Sequence, residues 1–360
     1  MKPTTAVALS GGLDSLVAAH LLKKSGHPIF GLHFVSGYDP LMPEPEFGET
    51  DSKCVPIPSA HPLSAIRAKL NIDIWAIDCR EAFKEKVIDY FINTYMNGKT
   101  PNPCVVCNAS IKFSVLLEAA QQMGASHLAT GHYAIVEKSM HNAFQLKKGI
   151  DPAKEQSYFL AMLTRDQLAH AYFPVGHMTK AQVVGIAEAS GLTPVSKYES
   201  QDICFIRDMH YSRFLADRGA LNQTNGAIID VHGRHLGIHQ GLHRYTIGQR
   251  RGINCPGPEP YYVIRLDIRN NRLIVGTKKD LYQKACQIHQ INWLGDIPDN
   301  SLSVMTKLRY RHEPAESEII PTGKDTAVIR FKTPQPAVTP GQTAVCYYEN
   351  QVMAGGWIVG

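Results

Sequence analysis

The stretch Ala8-Leu-Ser-Gly-Gly-Leu-Asp-Ser15 decides the fold. It joins a short apolar run at 7–9 to a helical pattern that carries Leu16, Val17, Leu21 and Leu22 and stops at Gly26. A strand that turns through two glycines into a helix is the opening unit of a doubly wound parallel sheet. Gly11 and Gly12 let backbone N–H groups approach an anion closely. Ser10 and Ser15 add hydroxyl donors, and the helix N-terminus favours negative charge. Asp14 is a poor neighbour for a phosphate, but it can ligate a Mg2+ that bridges phosphates. No Gly-Lys-Ser/Thr follows, so the loop is not of that P-loop type. A Gly-rich turn occurs in any doubly wound fold. Ser-Gly-Gly-x-Asp-Ser at the start of the sheet reads as a nucleotide loop.

Outward from the loop, strand and helix patterns alternate. Strands are expected at 29–34, 72–77 and 127–130, and helices at 63–70, 83–95 and 111–123. The stretch 36–62 is rich in Pro, Gly, Asp and Glu and reads as a long surface loop. Thr164 with Gln167 and Thr179 with Gln182 have capping-box spacing, and Gly191 sits where a helix ends. After about residue 205 the pattern changes. Hairpins are expected around His232-Gly233 and Asn270-Asn271, then short strands at 304–310, 327–331, 344–348 and 357–359. The expected architecture is α/β plus β. A doubly wound domain spans 1–205, a small β-rich module 206–283 and a β-barrel 284–360.

The composition agrees with this plan. The chain has 360 residues, of which 44% are hydrophobic and 19% charged, which excludes wholesale disorder. No apolar run reads as a membrane helix, and the N-terminus turns into the glycine loop too soon for a signal peptide, so a cytoplasmic protein is expected. The 37 Lys and Arg exceed the 32 Asp and Glu, for a net charge of +5. That permits a nucleic-acid partner without requiring one. The 8 Cys do not make a disulfide scaffold.

The cysteines narrow the chemistry. Thr100-Pro-Asn-Pro-Cys-Val-Val-Cys-Asn108 holds Cys104 and Cys107 just before the helix expected at 111, where a thiolate is stabilised. Cys204 lies in Ser200-Gln-Asp-Ile-Cys-Phe205. It fits an inert core thiol as well as a catalytic one. The C-x-x-C has no second Cys/His pair at zinc spacing. Cys54, Cys79, Cys255, Cys286 and Cys346 stand alone and read as structural. Arg309 and Tyr310 in Leu308-Arg-Tyr-Arg-His312, and Gln249-Arg-Arg-Gly252, can stack on bases and pair with phosphates, or simply form a solvated edge.

The loop resembles the PP-loop of ATP pyrophosphatases, which adenylate a carbonyl or carboxylate oxygen. Longer stretches resemble the tRNA-specific 2-thiouridylase family. They include Asn108-Ala-Ser-Ile-Lys-Phe113, Ala129-Thr-Gly-His-Tyr-Ala134, Phe173-Pro-Val-Gly-His-Met-Thr-Lys180, Gly241-Leu-His-Arg-Tyr-Thr-Ile-Gly-Gln-Arg-Arg-Gly252 and Val338-Thr-Pro-Gly-Gln342. The resemblance implies ATP-dependent transfer of sulfur to the 2-position of the tRNA wobble uridine. It assigns Cys107 as nucleophile and Cys204 as persulfide carrier, with a Cys107–Cys204 disulfide as product. ATP with Mg2+ is implied at Ala8, Leu9, Ser10, Gly11, Gly12, Leu13, Asp14, Ser15, Phe34 and Gly131. Asn102, Pro103 and Cys104 are implied to meet the target base. His132, Lys154, Glu155, Gln156, Arg309, Tyr310 and Gln342 are implied to contact tRNA. On its residues alone, His132 is equally a histidine capping a strand. The implied partners are tRNA and a sulfur-relay or cysteine-desulfurase-type persulfide donor, with the chain a monomer.

Two departures stand out. Many members of that family have Asp where this chain has Cys104. Cys104, Cys107 and Cys204 then make three thiols, which suggests a [4Fe–4S] cluster with one open iron. In addition, Phe34-Val-Ser-Gly-Tyr-Asp-Pro40 replaces the family's usual Met-Lys-x-Trp-Asp. Two other functions fit parts of the pattern. One is a PP-loop ligase or amidotransferase acting on a small molecule. The other is a non-catalytic RNA-binding protein.

Overall fold

The computed structural model describes residues 2–38, 43–47, 53–140, 142–195, 203–206, 211–218 and 224–359. The chain divides into two compact units. The first is Met1–Ile88, Cys104–Arg207 and Asn350–Val352. The second is Asp89–Pro103, Asp208–Glu349 and Met353–Gly360.

The first unit is built on β1 (Thr5–Ala8), β2 (Ile29–Val35), β3 (Cys54–Pro56), β4 (Ile74–Asp78) and β5 (His127–Ala129), with a hairpin of β6 (Ala134–Lys138) and β7 (Phe144–Lys148), and β8 (Ala171–Tyr172). The sheet order is β3-β4-β2-β1-β5-β8. Every pairing is parallel except β3 on β4. From β1 the chain builds outward through β2 and β4, then returns to the other side of β1 with β5. The strand order therefore reverses between β1 and β5. In an open parallel sheet that reversal leaves a crevice at the carboxyl ends of the two strands. The loops after β1 and β5 flank it.

Helix α1 (Leu13–Lys24) follows β1, with Leu16, Val17, Ala18, Ala19 and Leu22 buried. These pack with Val7, Leu9, Val35, Ile66, Ile74 and Val183 in one apolar core. The loop expected at 36–62 contains β3 among its described residues. The hairpin of β6 and β7 carries no strong alternation and escapes sequence reading.

The helix expected at 111–123 begins earlier. Helix α2 (Pro103–Gln122) starts on a proline, whose missing N–H costs nothing at a helix's first position. It passes through a π-helical segment, Asn108–Leu116. Cys104 and Cys107 therefore lie inside the first turns of the helix, not ahead of it. At 20 residues α2 is long and apolar enough by composition to cross a membrane, which corrects the sequence reading that no segment is. Its apolarity has another use in the structure. Val105, Ile111, Phe113, Leu116, Leu117 and Ala120 are buried in the protein. Helix α3 (Lys180–Ala189) starts on the expected capping box of Thr179 and Gln182.

In the second unit, β9 (Gly226–Asp230), β10 (His235–His239), β11 (Tyr262–Asp267) and β12 (Arg272–Gly276) form a sheet in the order β10-β9-β12-β11. Two antiparallel hairpins are joined by the parallel pair β9 and β12. Both turns fall where expected, with Asn271 at φ +49°. Six further strands follow, β13 (Tyr282–Trp293), β14 (Leu302–Lys307), β15 (Ala315–Pro321), β16 (Thr326–Pro336), β17 (Thr343–Tyr348) and β18 (Gln351–Ile358). They run β13-β16-β15-β14-β17-β18, and β13 pairs back onto β18. The expected β-barrel is closed, so it has no open edge. Ile288, Ile319, Ile329, Ala344, Cys346 and Ala354 line its core.

Candidate active site

The nucleotide loop is preorganised by its backbone. Gly11 has φ +80°, a left-handed conformation that side chains avoid. Its carbonyl accepts the Val195 N–H at 2.9 Å. Gly12 is extended and caps α1 without a side-chain bond, so no capping side chain takes the first N–H groups of the helix. The Ser15 hydroxyl donates to the Gly12 carbonyl at 2.9 Å and lies 3.3 Å from the Ser10 hydroxyl. From the far side of the crevice Gly131 closes on the loop. A Cβ there would lie 2.6 Å from the Asp14 carbonyl carbon and the Ser15 nitrogen, so only glycine fits. Phe34, at the end of β2, is half-buried 6.4 Å from the Phe83 ring.

Asp14 is the only charge in the loop, and it is paired. Its Oδ1 accepts the Tyr133 hydroxyl at 2.8 Å and the Lys180 ammonium at 2.7 Å. Two residues implied to meet tRNA sit behind this pair. Gln156 Oε1 accepts the Tyr133 N–H at 3.0 Å, and the Gln156 N–H donates to the Tyr133 carbonyl at 2.9 Å. Glu155 is buried and accepts the Ser157 N–H. Lys154 is half-buried beside them. The Gln156 side chain thus braces Tyr133, which holds Asp14 in the nucleotide loop. Tyr133 and Lys180 were missed as site residues. Both belong to stretches that carried the family resemblance, but nothing in their spacing ties them to Asp14.

The thiols form the second half of the site. Cys107 is buried and Cys104 half-buried. Burial pushes the Cys104 thiol up to about 12, Cys204 adds to this, and the Lys112 charge opposes it. Burial also pushes Cys107 up to about 12, again with Lys112 opposing and Cys204 adding. The helix-start argument had led to the opposite expectation, of stabilised thiolates. Desolvation outweighs the helix dipole here, because the dipole contributes about 1 kcal/mol and burial can move a group by several units. Cys204 itself is exposed. It bears electrostatically on both thiols of the C-x-x-C. Cys79, read as a bystander, also bears on Cys107, and burial raises it to about 12.

His132, in the loop after β5, has Nδ1 2.7 Å from the Thr130 hydroxyl. Burial, with Lys112 nearby, holds it well below the usual histidine range, so the ring is neutral. Among the described residues no group of three or more His, Cys, Asp or Glu is arranged to hold a metal ion. The [4Fe–4S] expectation for Cys104, Cys107 and Cys204 therefore gains no support from the described residues.

The remaining implied residues lie in the second unit. Asn102 is buried, with its Nδ2 donating to the Thr343 hydroxyl at 3.3 Å and its N–H to the Tyr90 hydroxyl at 3.2 Å. Pro103 is buried. Gln342 Nε2 donates to the carbonyls of Thr100 at 3.2 Å and Pro101 at 2.9 Å. Arg309 is exposed, and the Lys307 ammonium lies 5.5 Å over the Tyr310 ring. Arg309 and Tyr310 follow the end of β14 at Lys307, in a turn where the sequence had continued the strand.

Three family profiles tile the chain. Residues 3–208 match the tRNA methyl transferase HUP domain, 212–277 the tRNA methyl transferase PRC-barrel domain and 283–358 the aminomethyltransferase beta-barrel domain. The tRNA-specific 2-thiouridylase MnmA of Desulfosudis oleivorans is 45% identical over 357 residues, which is 99% of this chain and 95% of that protein. The chain belongs to the tRNA-specific 2-thiouridylase family. The protein of the same name from Geotalea uraniireducens is 41% identical over 352 residues, covering 98% of this chain and 94% of its own length. That from Geobacter metallireducens is 41% identical over 352 residues, covering 98% and 95%. As a 2-thiouridylase-family chain, it carries an ATP-binding PP-loop domain at its N-terminus.

Proposed function

We propose that the chain is a tRNA-uridine 2-sulfurtransferase in which the loop of β1 activates the base and the thiols of α2 deliver sulfur. The observation that carries this reading is that Cys104, Cys107 and Cys204 share the unit that holds the nucleotide loop, with Cys204 bearing electrostatically on the other two.

The uridine 2-oxygen attacks the α-phosphate of ATP, and pyrophosphate leaves. The loop N–H groups stabilise the charge developing on the phosphate oxygens. Asp14, whose carboxylate lies at the loop and is one-third exposed, would hold a Mg2+. When bound, that ion supplies charge neutralisation. A persulfide on exposed Cys204 attacks the activated C2, and AMP leaves. Cys107, losing its proton, attacks the Cys204 sulfur. The sulfur–sulfur bond of the persulfide breaks, its electrons stay with the sulfur on the base, and a Cys107–Cys204 disulfide forms. A dithiol reductant resets it. The buried, protonated state of Cys107 keeps it from attacking before the base is in place.

Asn102, Pro103 and Cys104 are the segment we assign to the base, and Arg309, Tyr310 and Gln342 those assigned to tRNA. We divide the chain at 205 and 283, and place it as a cytoplasmic monomer that is loaded by a cysteine-desulfurase-type or relay persulfide donor. The small-molecule ligase and non-catalytic readings lose to the full-length family match. The test is incubation with unmodified tRNA, ATP, Mg2+ and a persulfide donor under reducing, anaerobic conditions, followed by nucleoside analysis. The expected product is 2-thiouridine, and its absence overturns the reading.

A further inference from the structure

The nucleotide loop has a charge problem. Residues 5–15 contain no Lys or Arg, and their one charge, Asp14, is negative. A polyphosphate brought to this loop meets N–H groups, hydroxyls and a carboxylate of the wrong sign. Loops of the Gly-Lys-Ser/Thr type carry a lysine for the β- and γ-phosphates. This loop has none, so any such cation comes from elsewhere in the chain.

The structure brings one. Lys180 Nζ lies 2.7 Å from Asp14 Oδ1, across a sequence separation of 166 residues. Both side chains are partly buried, at 21% and 33% exposure. The lysine is set by backbone, not by its own head group. The Lys180 N–H donates to Asp151 Oδ2 at 2.7 Å, and the other oxygen of Asp151 accepts the Ala153 N–H at 2.9 Å. The Thr179 capping box fixes the same point, at the start of α3. The ammonium is thus delivered to the edge of the loop from a rigid base.

We propose that Lys180 is the loop's missing phosphate-binding cation, held on Asp14 while the nucleotide is absent and transferred to the β- and γ-phosphates when ATP binds. This rests on the ATP site described above. The exchange keeps charges matched in both states. Without nucleotide, Asp14 and Lys180 neutralise each other, and the Tyr133 hydroxyl holds the carboxylate in place. With nucleotide, the ammonium meets phosphate oxygens in charge-assisted hydrogen bonds. The Asp14 carboxylate is then available to a divalent cation.

The test compares ATP, inorganic pyrophosphate and AMP binding to the full chain by calorimetry, with and without Mg2+. AMP lacks the phosphates that Lys180 would hold. Lys180→Met should weaken ATP and pyrophosphate about twentyfold and leave AMP within about twofold, with Lys180→Arg within about threefold of wild type for all three. Asp14→Asn removes the competing carboxylate. It should tighten Mg2+-free ATP by about fivefold, and this arm is read independently of how Lys180→Met folds. Equal losses for ATP and AMP in Lys180→Met, or unchanged or weaker Mg2+-free ATP binding in Asp14→Asn, overturn the proposal. Wild-type protein that binds neither ATP nor AMP instead sinks the nucleotide site itself.

Discussion

The loop after β1 and the cysteine turns of α2 lie in one unit and are built on opposite principles. The loop is polar, partly exposed and held by backbone geometry: a left-handed Gly11, an extended Gly12 and the Gly131 backbone pressed on it. Its charge is already paired through Asp14 and Lys180. The thiols are the reverse. Cys104 and Cys107 sit on a helix packed into protein, neutral, with their reactive anions suppressed by desolvation. One half of the site is ready to bind. The other half is withheld. A thiol that stays protonated until its target arrives is protected from oxidation and from attack on a free persulfide.

The comparison breaks most visibly through the thiols. Cys107→Ser and Cys204→Ser should each lower 2-thiouridine formation by about a thousandfold or more, with ATP affinity unchanged. Single-turnover assays with tRNA and a parallel ATP titration check it. Either variant retaining a tenth of the activity removes that cysteine from the mechanism. The next effect concerns stability. Phe113 is fully buried in the π-helical segment, edge-on to Phe173 at 5.8 Å. Phe113→Ala should cost about 3–5 kcal/mol in denaturant unfolding, because the cavity cannot collapse in a packed helix face. A cost under about 1 kcal/mol would mean the thiol helix is not the rigid half of the site.

The smallest effect sharpens the contrast. With the Cys107 thiol pushed up to about 12, its labelling by iodoacetamide should rise about tenfold per pH unit from 7 to 9 without a plateau. The sign follows from the reactive form, since thiolate grows with pH as long as pH stays below the thiol's midpoint. Peptide-resolved mass spectrometry reads it out. A plateau near neutral pH would show a thiolate already formed, and the two halves of the site would then be equally prepared.

Much of this was legible in the sequence. The Ser10 to Ser15 loop, the capping boxes at Thr164 and Thr179 and the turn at Asn271 are local devices, and each formed where expected. What failed was of two kinds. The start of α2 and the extent of β14 were misjudged because tertiary packing sets helix and strand ends. The chemistry of the cysteines was misjudged because a local rule, the helix dipole, was set against a burial that spacing does not reveal. Gln156 and Gln342 also bind backbone, around Tyr133 and at Thr100 and Pro101, which their spacing does not reveal.

The sequence by itself determined the class of fold, the anion-binding turn and the presence of three thiols at fixed places along the chain. Those features depend on neighbours within a few residues, where glycine conformations, caps and periodicity act. Only the tertiary structure decided that Lys180 faces Asp14, that Gly131 closes on the loop and that Cys107 is held neutral. These depend on which distant segments meet, and on how much water is excluded where they do. Coulomb energies and desolvation are set by distance and surroundings in space, and spacing along the chain carries neither.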